Sequence, residues 1–209
     1  MAVNDFQDQE EIENFKHFWK NYGRWIFGVL LLAAAAYLGW VIYQGHLREQ
    51  NEKAGDLADT FATQLQAGND ASAKKALLSL QQDYGNTLPA AQSTLIMAAA
   101  AFETAKYDEA IGHLQWVAGK QKNDLFRTIT AQRLAVVYLQ QQKYNEALSA
   151  LNVTVDKDFQ PILLETKGDV FQAQQKNKEA IDAYTEASKL LIENSPQRAL
   201  LQLKIDALS

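Results

Sequence analysis

Residues able to do covalent or acid–base chemistry are few in this chain and do not cluster. It has no cysteine, which removes disulfides, thiolate zinc sites, iron–sulfur ligands and cysteine nucleophiles together. The three histidines, His17, His46 and His113, are far apart in sequence. His113 sits among Leu114, Trp116 and Val117 and reads as an ordinary core or surface residue. Glu165 and Asp169 lie one helical turn apart, and an exposed acidic pair accounts for them. Asn152-Val153-Thr154 fits a glycosylation acceptor pattern only formally, because it falls within a predicted helix. There is no phosphate-binding glycine motif, no Gly-x-Ser-x-Gly and no metal-spaced cluster. A net charge of −5 argues against a nucleic-acid binder, which needs a basic stripe to replace phosphate counterions. The expectation is no enzyme, no cofactor and no metal. What remains is the chemistry of contact.

The residues that could do that work recur. Ala98, Ala101, Ala110, Leu114 and Val117 form one set; Ala135, Tyr138, Ala147, Leu151 and Thr154 a second; Gly168, Phe171, Ala180, Tyr184 and Ala187 a third. The internal spacing is the same in each. Small residues are needed where two helices cross closely, and large apolar ones fill the seam at the following turns. Between the small residues each set carries a similar turn: Lys106-Tyr107-Asp108-Glu109, Lys143-Tyr144-Asn145-Glu146 and Lys176-Asn177-Lys178-Glu179. Asp108, Asn145 and Asn177 are placed to cap the following helix, with a glutamate at its positive end.

These units resemble tetratricopeptide repeats, helix–turn–helix modules of about 34 residues. The third matches best; the others carry alanine in place of its glycine. Only 10 glycines and 3 prolines in 209 residues fit an all-α chain. Pro89, Pro161 and Pro196 each suit a first helical turn. The helices expected are about 3–21, 22–66, 71–84, 89–104, 107–119, 124–141, 144–154, 160–174, 177–192 and 196–208. Units span about 92–122, 129–158 and 162–192, preceded by a degenerate pair at 47–66 and 71–84. The stretch 47–65 could pair as a coiled coil through Ala54, Ala58, Phe61 and Leu65, but packing onto the first repeat is preferred. A final helix at 196–208 covers the open end of the stack.

The repeat resemblance implies a right-handed stack whose first helices line a concave face. The family's inward positions, read onto this chain, are Gln92, Leu95, Ala99 and Phe102 in the first unit. Ile129, Gln132, Val136 and Leu139 follow in the second, and Ile162, Glu165, Asp169 and Gln172 in the third. Most are neutral and many apolar. Either they line a groove for an extended or helical peptide, or Leu95, Phe102, Val136 and Leu139 are covered by internal packing. A clamp for a peptide carboxylate built on paired lysine and asparagine is excluded, since the matching pairs are Leu95/Ala99, Gln132/Val136 and Glu165/Asp169.

The element that must position this stack is an uncharged run between Arg24 and Arg48. Residues 25–43 read WIFGVLLLAAAAYLGWVIY and extend roughly 28 Å as a helix, about the thickness of a hydrocarbon core. Trp19, Tyr22 and Trp25 flank one end and Tyr37, Trp40 and Tyr43 the other, a double belt of rings that favour the headgroup level. A long acidic leader (Asp5, Asp8, Glu10, Glu11, Glu13) favours a retained anchor over a cleaved signal peptide. Ile12, Phe15, Phe18 and Trp19 recur at spacing that fits an interfacial helix feeding the span, the alternative being a frayed leader with a few apolar residues. Lys16, Lys20 and Arg24 before the span outnumber Arg48 and Lys53 after it, which puts the N-terminus inside. The domains expected are a short inside tail (1–24), a transmembrane helix (25–45) and a repeat domain on the outer side (46–209).

In the order of these parts the chain resembles the YfgM family of Gram-negative inner-membrane proteins. The resemblance lies in the acidic, aromatic-bearing tail, the span with Gly39-Trp40, the short repeat array and the closing Leu203-Lys204-Ile205-Asp206-Ala207-Leu208. It implies a single-pass bacterial inner-membrane protein with a periplasmic C-terminal domain. It also implies an ancillary subunit of the SecYEG translocon, working beside a periplasmic chaperone of PpiD type and with newly secreted clients. The alternative function is a structural or regulatory adaptor in envelope-stress signalling or envelope assembly, with no direct client binding.

Overall fold

A computed structural model of the chain describes the backbone of residues 2–209 and the side chains of 16, 18–20 and 22–209. The helices are α1 (Ala2–Gln66), α2 (Asp70–Asp83), α3 (Leu88–Glu103), α4 (Tyr107–Lys120), α5 (Asp124–Gln140), α6 (Tyr144–Ala150), α7 (Gln160–Ala173), α8 (Asn177–Leu190) and α9 (Pro196–Asp206). Among the described residues there is no strand. The expected helices 3–21 and 22–66 are one, because nothing between them breaks the hydrogen-bond ladder: Gly23 lies under the Trp19 ring without interrupting the helix.

Two compact units divide the chain, Met1–Glu52 and Lys53–Ser209. In the first, an 18-residue stretch of α1 reaches a mean hydropathy of 2.2 with none of it buried. Trp25, Leu32 and Ile42 are each more than 70% exposed. A surface this apolar is stable only if something apolar covers it, and the length of the stretch matches a bilayer. All six belt rings are exposed, and Tyr37 leans on Trp40 with centroids 6.1 Å apart. The expected interfacial face through Ile12 and Phe15 lies outside the described side chains.

The second unit is a series of small cores, each built by neighbouring helices. Ala54 and Phe61 at the end of α1 are fully buried with Leu77, Leu80 and Ala90, so the degenerate pair packs onto the first repeat as expected. Ala98, Ala110, Leu114 and Val117 form the next core, Ala135, Ala147 and Leu151 the third, and Ala180, Tyr184, Ala187 and Leu201 the last. The repeated positions thus all reach a core, with one exception given below.

Helix ends show where the sequence reading needs correcting. Asp108, Asn145 and Asn177 do not cap. The residues in the N-cap position are Lys106, Lys143 and Lys176, which make no side-chain cap bond. The reason is the turn before them. Ala105, Gln142 and Gln175 all adopt positive φ, and the next amide donates back five residues (Lys106 N to Ala101 O, 2.8 Å; Lys143 N to Tyr138 O, 2.9 Å; Lys176 N to Phe171 O, 3.0 Å). This backbone closure ends one helix and starts the next so abruptly that no capping side chain fits between them. Side-chain caps occur instead after looser connections, at Thr87, Asn123 and Ser195. The prolines lie in the first turns of α3, α7 and α9, as predicted.

The second unit also departs from its sequence pattern. Helix α6 ends at Ala150 rather than 154, and Val153-Thr154-Val155, all β-branched, leave the helix. The Asp156 amide donates to Asp124 Oδ2 at 2.7 Å and fixes the exit. Thr154 therefore lies on no helix, and the helical ground for dismissing the Asn152 pattern goes with it.

The glycine of the third unit has a local cause. A methyl group on Gly168 would overlap the Tyr184 ring. The position sixteen residues on is leucine in the other units, Leu114 and Leu151, opposite Ala98 and Ala135. A larger residue on the second helix is matched by a smaller one on the first.

Candidate functional site

Helices α3, α5 and α7 carry the twelve positions expected to line a concave face. Between α3 and α5 the structure has an apolar recess of about 310 Å³, lined in part by Ala99, Phe102, Gln132 and Val136, four of those twelve. Val136 is 40% exposed, and Phe102 is half-buried with its ring 5.7 Å from Tyr107. A second, more open recess of about 670 Å³ adjoins it, bounded by Gln92, Leu95 and Ala99 with Leu65 and Ile96. The two share Ala99 and Arg133.

The alternative of internal cover holds for part of the set. Leu95 is buried in the core of the first unit and shows only its edge to the second recess. Leu139 is half-buried against the core of the second unit, and Ile129 packs on the core that α4 shares with α5. Phe102 and Val136 remain accessible.

The third unit differs. Ile162 is exposed, but Glu165 and Asp169 do not stand free as an exposed acidic pair. Lys204 of α9 donates from Nζ to Glu165 Oε1 and Asp169 Oδ1, both at 2.7 Å. The Tyr184 hydroxyl lies within hydrogen-bond distance of Asp169 Oδ1 (2.8 Å) and Gln172 Oε1 (3.0 Å). Lys204 also lies 5.2 Å from the Tyr184 ring centroid. Burial, then the Asp169 carboxylate, pushes the Tyr184 hydroxyl well above its ordinary value. Burial pulls Lys204 down, but its hydrogen bonds to Asp169 and Glu165 outweigh that and hold it above the ordinary lysine value. Leu201 of α9, fully buried beside Tyr184, seats the helix. Three of the four expected positions on α7 are therefore occupied from within.

Arg133, Glu103 and Ile96 also border the recesses and were not among the expected positions. Each lies one residue beside an expected one, or one turn from it, and a long side chain covers that offset by folding along the helix surface. Arg133 was legible in principle, as the residue next to Gln132 with a guanidinium to spare. His113 stays structural: burial holds it below its ordinary value, and Glu109 is 3.9 Å away. Among the described residues no group of side chains could hold a metal ion.

Residues 16–209 match the family described as a tetratricopeptide repeat-like domain. A protein of Neisseria gonorrhoeae named "Ancillary SecYEG translocon subunit" is 45% identical over 203 residues, 97% of each chain. The chain belongs to the ancillary SecYEG translocon subunit family. A Haemophilus influenzae protein of the same name is 26% identical, across 94% of this chain and 96% of that one. Among solved structures, "MamA RS-1 ArsTM double mutant" superposes with a TM-score of 0.49 at 15% identity, covering 76% of this chain and 96% of that one. Membership of the ancillary-subunit family bears out the resemblance drawn from the tail, the Gly39-Trp40 span and the C-terminal end, and with it the all-α, repeat-bearing fold.

Proposed function

We propose that the protein is a non-enzymatic, membrane-anchored interaction scaffold that attaches to the SecYEG translocon. In this reading residues 1–24 are a cytoplasmic tail, 25–45 span the bacterial inner membrane, and 46–209 form a periplasmic repeat domain. The scaffold holds a chaperone of PpiD type or a newly secreted chain in the recess between α3 and α5. The observation that carries this is the accessible apolar lining at Phe102 and Val136, on the face where repeats of this type offer a groove. The names of the relatives support the translocon as the anchoring partner. Tethering raises the local concentration of whatever meets the groove, so individually weak contacts suffice.

The test is a photo-crosslinker at Val136 of the full chain in inner-membrane vesicles. Adducts with translocon subunits, a membrane-anchored chaperone or secretory chains are expected. Their absence, with protease reaching the repeat domain from the cytoplasmic side, overturns the reading.

A second reading is the adaptor without client binding. It is favoured by Ile192, Leu200 and Leu203, apolar residues outside the groove that are 82, 58 and 65% exposed. Val136→Asp separates the two. It abolishes partner capture in the first reading and leaves it intact in the second.

A further inference from the structure

The recess between α3 and α5 has one charged residue in its lining, Arg133. The rest is Ala98, Ala99, Phe102, Leu114, Val136 and Val137 with the amide of Gln132. Arg133 Nη1 donates to the Leu95 carbonyl at 3.3 Å, so the guanidinium reaches from α5 across to α3 and stands over the seam between the two helices. One such bond uses one of its five N–H groups. Among the described residues no carboxylate lies within ion-pair distance of it; Glu103 borders the neighbouring recess together with Arg133 but makes no ion pair with it. Elsewhere in the unit the cation facing an acidic pair is satisfied: Lys204 has both Glu165 and Asp169. An unpaired guanidinium at the lip of an apolar recess, in a chain of net charge −5, is complementary to one kind of occupant.

We infer that this recess takes a peptide segment in which a carboxylate adjoins a large apolar side chain, the apolar group filling the space beside Phe102 and Val136 and the carboxylate pairing with Arg133. The inference rests on the groove reading above and adds the chemistry of the partner. Guanidinium and carboxylate match as planar two-pronged groups, which gives direction as well as attraction. The apolar wall beside them excludes water from one side of the pair and strengthens it. A basic or amide-bearing segment of equal apolarity gains only the wall. The lysine–asparagine carboxylate clamp ruled out by sequence is a different device, since it sits on the inward repeat positions and this one uses the residue beside them.

The test uses the full chain in nanodiscs and three fluorescent twelve-residue peptides with the same leucines and phenylalanines. Their polar positions are all aspartate and glutamate, all asparagine and glutamine, or all lysine. Anisotropy titration at low salt is expected to rank the acidic peptide about tenfold or more above the amide one, the margin of one charge-assisted hydrogen-bonded pair. Arg133→Glu should erase that margin and favour the lysine peptide, while Arg133→Lys keeps part of it. Circular dichroism melts control for folding, which an exposed side chain should hardly alter. Equal binding of all three peptides, abolished by Val136→Asp, overturns the carboxylate inference and leaves the groove reading standing. Binding of none of them, or binding indifferent to Val136→Asp, overturns both.

Discussion

Helices α5 and α7 present the same repeat positions to the same face and meet opposite fates. Val136 on α5 borders an open apolar recess, whereas Asp169, its counterpart on α7, is held by Lys204. Burial alone would drive the reverse, since covering apolar surface gains about 25 cal/mol per Å² and an acidic pair is content in water. The C-terminal face is closed because α9 has its own apolar reason to dock, through Leu201, and the lysine then orients it. The recess on α5 has the apolar surface, but among the described residues none fills it. That contrast, an open apolar face beside a closed polar one, is what the proposed docking of a partner at the recess rests on.

The comparison can be broken in four ways, taken from the largest expected effect. Leu201→Ala removes the seat of α9 and should cost about 2–4 kcal/mol, read by urea unfolding of the repeat domain within the full chain. Protease cleavage near α9 should rise with it. A loss below about 1 kcal/mol would mean the closed end does not depend on its apolar contact.

Gly168→Ala forces a methyl into the Tyr184 ring and should cost about 1–3 kcal/mol. Pairing it with Tyr184→Leu recreates the alanine–leucine match of the other two units. The double variant should then recover part of that loss in a double-mutant cycle. Strict additivity would show that the small–large match is not what selects glycine.

Lys204→Met should cost about 0.5–1 kcal/mol, because the ion pairs are about one-third exposed and screened. The pH dependence follows from the raised values of Lys204 and Tyr184. Both bind their protons more tightly in the folded state, so their contribution is complete below the unfolded values near 10 and is lost as pH rises above them. Unfolding midpoints measured across the alkaline range should fall for the parent and fall less for Lys204→Met. Equal slopes would remove Lys204 from the account.

Val136→Asp should change stability least, by less than about 0.5 kcal/mol, because the side chain is already accessible. It should nevertheless abolish partner capture at the recess, so that stability and binding separate at this position as they cannot at Leu201.

Much of this was readable from sequence because helices announce themselves by period. The spacing of Ala98, Ala110 and Leu114, repeated twice, located the cores, and the uncharged run located the span. Local turn chemistry was less legible. The αL residues at Ala105, Gln142 and Gln175 are not glycine, so nothing in their type announced the backbone closure that displaced Asp108, Asn145 and Asn177 from capping. The early end of α6 was visible in principle in the β-branched run after Asn152, but the repeat pattern overrode it. The face was half legible. Repeat register found Phe102 and Val136, yet register cannot show that α9 returns a lysine to Glu165 and Asp169 from 35 or more residues away. Nor does it register Arg133, whose reach depends on a flexible side chain rather than on helical phase.

The lateness of Lys204 has a consequence for the growing chain. Each core here is made by helices adjacent in sequence, so a unit can close once its own partner helix has been synthesised. The recess between α3 and α5 is in place early, while Glu165 and Asp169 wait for one of the last side chains to be made. Until then the nascent protein carries an acidic face that the finished one hides, and any cation that meets it must leave before α9 can dock.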